Sequence, residues 1–176
     1  PSAAIEVISG NPPAHLQVAE RSRGYHSGNK AEAKEWAENQ WQIEWRNPTA
    51  ESALWTRRLI KDVRAWRNRK HGEVNFHLTQ FLTGHGVFRE YLYRFNLDTS
   101  PTCWFCEESD SPEHTVFSCP RWEEKRNRTN AAVGCTLSPD NIAETMLATK
   151  ENWGAVADFI VSTMRSKEEY ERSLGR

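Results

Sequence analysis

The chain has 176 residues, enough for one ordinary domain or two small ones with a sizeable core. Its formal net charge of -1 excludes a global basic field, so any contact with nucleic acid must come from local clusters of Lys and Arg. No run approaches the roughly 18 consecutive apolar residues of a membrane helix, and the first residues lack signal-peptide order, so the expectation is an intracellular chain with no membrane partner.

The N-terminal stretch reads as the edge of a longer protein, with Gly10 and Pro12-Pro13 interrupting any helix before His15 to Tyr25. Strong helix formers from Ala31 to Arg46 predict a helix in which Trp41 and Trp45 share a face. Asn47-Pro48-Thr49 breaks it. A second helix is predicted from Ala50 to about Arg69, with Trp55, Leu59, Val63 and Trp66 as its apolar stripe. Two short helices, Phe76 to Leu82 and Val87 to Phe95, flank a turn at Gly84-His85-Gly86. Ser111-Pro112, Cys119-Pro120 and Ser138-Pro139 mark three further helix starts. Trp153, Val156, Phe159, Ile160 and Met164 form a stripe on a last helix, Asn152 to about Arg172, which ends in a charged tail expected to fray. No strand pattern persists, so the fold class is all-α.

Cys103, Cys106, His114 and Cys119 form a C-x2-C-x7-H-x4-C array. Three soft thiolates and an imidazole suit one structural zinc ion, Zn2+, and four protein ligands leave no position for a reactive water. Cys119 is placed to cap the helix beginning at Pro120, whose dipole favours its thiolate. Cys135 stands apart and is read as a small buried hydrophobe.

Seven basic residues, Arg57, Arg58, Lys61, Arg64, Arg67, Arg69 and Lys70, lie between positions 57 and 70 with one acid, Asp62. On a single helix Arg57, Lys61 and Arg64 would form a row able to follow a phosphate backbone. Arg121, Lys125, Arg126 and Arg128 continue the basic character beyond the Cys/His array. Trp104 or Phe105, exposed at its tip, could stack on unpaired bases; packing beneath the loop is the other reading of Trp104. His71, His77 and His85 have no Ser, Cys or carboxylate at a spacing that completes a catalytic set, and are read as packing residues.

The runs NRKHGEVNFHLTQFLTGHGVFREYLYRF and SPTCWFCEESDSPEHTVFSCPRW, in that order, resemble the carboxy-terminal region of insect non-LTR retrotransposon reverse transcriptases of the broad Jockey-like group. The resemblance implies a nuclear, post-polymerase tail carrying a CCHC zinc knuckle, which helps to seat template RNA or target DNA. The polymerase's Asp-Asp signature and the endonuclease's acid and histidine set do not occur here, so the chain is read as no enzyme in its own right. The expected layout is a helical domain with an inserted CCHC zinc knuckle: a polymerase-proximal helical segment over 1–47, a basic helical region over 48–98, the knuckle over 99–122, and C-terminal helices on the same core over 123–176. The expected partner is RNA or DNA, contacted by the basic residues named above and Trp104. The alternative is a stand-alone, retrotransposon-derived protein that binds a partner protein through its aromatic-rich helices.

Overall fold

The computed structural model describes residues 2–47 and 51–175, so the expected break at Pro48-Thr49 and the helix start at Ala50 lie outside the described residues. The all-α expectation holds: every regular element among the described residues is helical. The chain divides into two compact units, Pro1–Lys70 and His71–Arg176. The division falls inside the segment 48–98, whose first part belongs with the N-terminal helices and whose second part belongs with the Cys/His array.

The first unit holds α1 (Ser2–Ser9), α2 (Ala14–Ser27), α3 (Lys30–Trp45), α4 (Leu54–Leu59) and α5 (Val63–Arg67). Helix α1 corrects the reading of the first residues as non-helical. Gly10 and the two prolines end it rather than prevent it, and Ala4, Val7 and Ile8 are buried. Helices α2 and α3 form a hairpin. Gly28 turns the chain in the left-handed region, and the Asn29 side chain accepts from the Glu32 amide to start α3.

The single helix predicted to Arg69 is two. Ile60 is extended at the end of α4, and Asp62 restarts the chain by accepting from the Ala65 amide. The break is held from outside. The Gln42 amide donates to the Lys61 carbonyl at 3.0 Å and accepts from the Val63 N–H at 2.8 Å, satisfying two groups that an α-helix would have paired internally. Trp45 donates its indole N–H to the Ile60 carbonyl, and Trp66 donates to Ile8. Both rings are buried, so the indoles anchor the break on α3 and α1.

The second unit holds α6 (Phe76–Thr83), α7 (Arg89–Arg94), α8 (Glu123–Val133), α9 (Ile142–Ala148) and α10 (Lys150–Ser173). Its spine is α10, which buries Trp153, Val156, Phe159, Ile160 and Met164 against α6, α8 and α9. The predicted stripe is therefore the core, and Thr149 caps the helix by accepting from the Asn152 amide. Ser138-Pro139 opens a turn rather than a helix, since α9 begins only at Ile142. Cys135 is exposed, with its sulfur 3.7 Å from the Thr145 hydroxyl, which corrects the reading of a buried hydrophobe.

Gly72 sets one tight packing condition in this unit. It sits at φ +86°, and a Cβ there would lie 2.1 Å from Cδ2 of the buried Trp153 indole. Gly72→Ala is therefore expected to cost about 2–4 kcal/mol in urea unfolding, through combined left-handed strain and overpacking.

Candidate metal centre

The donors come from two local structures. Pro101 to Asp110 forms a tight hairpin in which Thr102 bridges Ser109, the Cys103 amide donates to the Glu108 carbonyl at 2.7 Å, and the Asp110 amide donates to the Pro101 carbonyl at 2.9 Å. Glu107 turns the chain at φ +63°. This loop presents Cys103 and Cys106. The other pair comes from the helical turn that starts where Ser111-Pro112 predicts, with the Ser111 hydroxyl accepting from the His114 N–H. From His114 to Ser118 the turn is widened to a π-helical form, closed by the Cys119 amide on the His114 carbonyl at 2.7 Å. An ordinary α-helix would point residues five apart in different directions. The wide turn brings His114 and Cys119 to one side, which is what an x4 spacing needs.

The four donor atoms all lie within 4.8 Å of one another. Cys106 Sγ stands 3.2 Å from His114 Nε2, and Cys103 Sγ stands 3.9 Å from Cys119 Sγ. A tetrahedral ion with sulfur at about 2.3 Å and nitrogen at about 2.0 Å sets donor separations of roughly 3.5–3.8 Å, so the cluster is near the size that could hold a metal ion.

Burial shapes its proton chemistry. It pushes the Cys103 thiol up to about 12, although an amide at Phe105 donates to the sulfur and favours the thiolate. The Cys119 thiol moves in the same direction for the same reason, against an amide at Arg121. Burial lowers the His114 imidazole and keeps it a neutral donor. These thiols hold their protons until a cation displaces them. Cys119 does stand at the start of the short turn Pro120–Trp122, but its side chain makes no capping hydrogen bond there; the backbone at Arg121 only opposes the upward shift of its thiol.

Two buried ion pairs brace the loop. Asp110, 0% exposed, receives Lys167 Nζ of α10 at 2.6 Å on both oxygens, with the Thr115 hydroxyl at 2.8 Å and the Arg89 amide at 2.9 Å. Lys167 is 1% exposed and also donates to Thr115 Oγ1 at 3.0 Å. Arg89 grips buried Asp98 through Nε and Nη2, each at 2.8 Å, and donates from Nη1 to the Thr102 carbonyl next to the first ligand. The bond to Asp98 raises the Arg89 guanidinium above its ordinary value. The charged tail expected to fray thus contains the buried Lys167. Its signal was positional, three residues beyond Met164 on the apolar stripe.

The aromatic tip is not an open platform. Trp104 and Phe105 are half-buried, with ring centroids 5.6 and 4.9 Å from Tyr170 of α10, and Phe105 meets Trp122 edge-on at 5.5 Å. For Trp104 the packing reading is the one observed, with the Arg89 guanidinium 5.1 Å from its ring.

The basic residues have mixed placements. In the first unit, Arg57 donates to the Ser52 and Trp45 carbonyls and covers the Trp45 ring at 4.3 Å; burial lowers its guanidinium from the ordinary value. Arg64 and Arg67 both pair with Glu38, at 3.2 and 3.0 Å. Arg69 donates to the Trp66 carbonyl. Because Arg57 lies on α4 and Arg64 on α5, the continuous row expected of one helix does not form. Arg58, Lys61 and Lys70 are exposed. Arg46, Arg57, Arg58 and Lys61, with Trp45, Asn47 and Leu54, line an open depression of about 520 Å³. In the second unit, Arg121 lies 5.5 Å from the Phe105 ring, and Lys125 reaches Ser162 at 3.3 Å. Burial, aided by Arg121 and Arg128, lowers the Lys125 ammonium. Arg128 makes an exposed pair with Glu124, and Arg126 donates to the Cys119 carbonyl.

The three histidines are used in packing. His71 Nε2 lies 3.2 Å from the Met146 carbonyl, His77 pairs with Glu168 at 3.1 Å, and His85 stacks on Tyr91.

Among curated proteins, the chain is similar to two of the wasp Nasonia vitripennis. The first is the Retrovirus-related Pol polyprotein from type-1 retrotransposable element R1 2, 26% identical over 119 residues, covering 68% of this chain and 29% of that protein. The second is the corresponding polyprotein from element R1 4, 26% identical over 139 residues, covering 78% of this chain and 35% of that protein. The chain thus spans about a third of the length of these relatives and is related to retrotransposon Pol proteins. No family model and no solved structure matches it. No helix among the described residues is long and apolar enough to cross a membrane.

Proposed function

We propose that this retrotransposon-related chain is a zinc-stabilised, non-catalytic accessory domain that binds nucleic acid, seating template RNA or target DNA for a Pol-type polymerase, in the nucleus. The observation that carries the reading is the closed set of Cys103, Cys106, His114 and Cys119, braced by buried ion pairs and followed directly by the cations of α8. Three thiolates and an imidazole gathered within 4.8 Å of one another suit zinc, and a site saturated by protein donors supports shape rather than hydrolysis. The Cys/His loop would then act as a CCHC zinc knuckle. Each unit has exposed cations of its own for phosphate contacts, Arg121 and Arg128 in the second and Arg58, Lys61 and Lys70 in the first.

A salt titration tests the reading, with the zinc-loaded chain and labelled RNA, single-stranded DNA and duplex DNA. Affinity is expected to fall linearly with the logarithm of salt concentration. Arg128→Ala and Arg58→Ala should each lower the slope by about one, without changing sequence preference. Absence of binding, or binding indifferent to salt, overturns the proposal.

A further inference from the structure

Beyond the cations, the second unit carries an aromatic ladder that the metal centre does not use. His85 stacks on Tyr91 with centroids 4.7 Å apart and planes 29° apart, and Tyr91 leads to Phe95 at 4.9 Å with the two rings tilted by 51°. The ladder is closed at one end and open at the other. His85 is fixed by the turn before α7: its amide donates to the Gln80 carbonyl at 3.1 Å, and Gly86 follows at φ +102°, where a Cβ would collide with the Gln80 side chain. Burial, with help from Arg94, lowers the imidazole, so the ring is neutral and stacks as an arene.

At the other end the chain reverses immediately after Phe95. Asn96 sits at φ +57°, and the Leu97 amide donates back to the Leu92 carbonyl at 2.9 Å. The reversal leaves Phe95 at the helix terminus, 54% exposed, beside exposed Tyr93 and Leu97. Arg94 places its guanidinium 5.3 Å from the Phe95 centroid and 5.9 Å from that of Tyr91. One further ring stacked on Phe95 would continue the ladder, and a phosphate attached to it would meet Arg94. An apolar protein segment needs neither the ring spacing nor the cation. An unpaired nucleotide uses both.

We infer that His85, Tyr91 and Phe95 with Arg94 form a stacking platform for an unpaired base of a single-stranded polynucleotide. The inference rests on the nucleic-acid reading above and adds to it the strand state that is recognised. Arg89, one turn back on α7, holds Asp98 and the Thr102 carbonyl, so the platform and the Cys/His loop belong to one braced structure.

The test uses the full chain with zinc, fluorescence anisotropy, and labelled oligonucleotides of about 12 nucleotides as RNA, as single-stranded DNA and as duplex DNA. Phe95→Ala is expected to weaken single-strand binding between about fivefold and a hundredfold while leaving duplex binding unchanged, and Phe95→Trp to restore it. Arg94→Ala should weaken single-strand binding and lower its salt slope by about one. Comparing RNA with single-stranded DNA of one sequence decides which sugar the platform prefers. Unchanged single-strand affinity in Phe95→Ala, or equal losses on single strand and duplex, overturns the platform and leaves the accessory-domain reading standing. A wild-type chain that binds none of the three overturns both. Thermal unfolding of Phe95→Ala should match wild type, because the ring is more than half exposed.

Discussion

Lys167→Met is expected to cost about 3–5 kcal/mol of stability. Lys167 and Asp110 are 1% and 0% exposed, and the lysine donates to both carboxylate oxygens and to Thr115. Methionine fills a similar volume, so the loss comes from the charge left behind rather than from a cavity. Asp110 would keep its bonds from the Arg89 amide and the Thr115 hydroxyl, which satisfy lone pairs but not charge. The paired variant Asp110→Asn with Lys167→Met removes that charge: the Asn oxygen still accepts from the Arg89 amide, and the Thr115 hydroxyl, which no longer receives Lys167, can rotate to accept from the Asn NH2. It should recover a coupling of up to about 3 kcal/mol. Denaturant unfolding of the two single variants and the double variant measures this directly. A loss below about 1 kcal/mol in Lys167→Met would mean that the pair does not brace the fold.

Removing the metal should have the second large effect, and its pH dependence runs in two directions. In the metal-free chain, burial raises the Cys103 thiol from 9.0 to about 12 and raises Cys119 as well. A raised thiol contributes stability that is complete below its unfolded value and is lost as pH rises towards the folded one. The metal-free loop should therefore weaken from about pH 9 upward. His114 is lowered by burial, so its contribution is present above the unfolded value and is lost as pH falls through the lower folded one. The zinc-loaded chain behaves oppositely on the alkaline side, because binding releases thiol protons and affinity rises with pH.

Chelation at neutral pH should abolish exchange protection of the Cys103, Asp110 and Cys119 amides while α9 and the middle of α10 stay protected. Their buried side chains, Ile142, Met146, Val156 and Ile160, belong to the apolar core. Cys119→Ser should lose the bound zinc and cost at least a few of the roughly 10–16 kcal/mol that structural zinc delivers in finger peptides. Metal content by mass spectrometry and amide exchange check both statements. Retention of one tightly held zinc in Cys119→Ser would remove Cys119 from the ligand set.

Local patterns carried much of this structure in the sequence. The stripe from Trp153 to Met164 is the core of the second unit, and the Cys/His spacing identifies a cluster that does close in space. What escaped was set by partners distant in the chain. The long basic helix is broken because Gln42, some 20 residues away, takes up the backbone groups on either side of Asp62. The row of cations breaks with it, and Glu38 claims Arg64 and Arg67. Trp104 and Phe105 read as an exposed tip because Tyr170, which covers them, lies more than 60 positions downstream. Lys167 fell on an apolar stripe where a lysine signals a buried counter-charge, but the acid it meets is 57 residues earlier.

That separation imposes an order of events on a growing chain. All four sulfur and nitrogen donors precede Lys167 by at least 48 positions, and the acid that the lysine neutralises leaves the ribosome 57 residues ahead of it. At about 5–20 residues per second, the interval between them is on the order of 3–10 s. Throughout it Asp110 has no cation from α10, yet the loop can already take its ion. If the loop holds the proposed zinc, metal capture would come first during synthesis and closure of the lysine latch second, and a newly made loop short of zinc would wait for its last helix without either support.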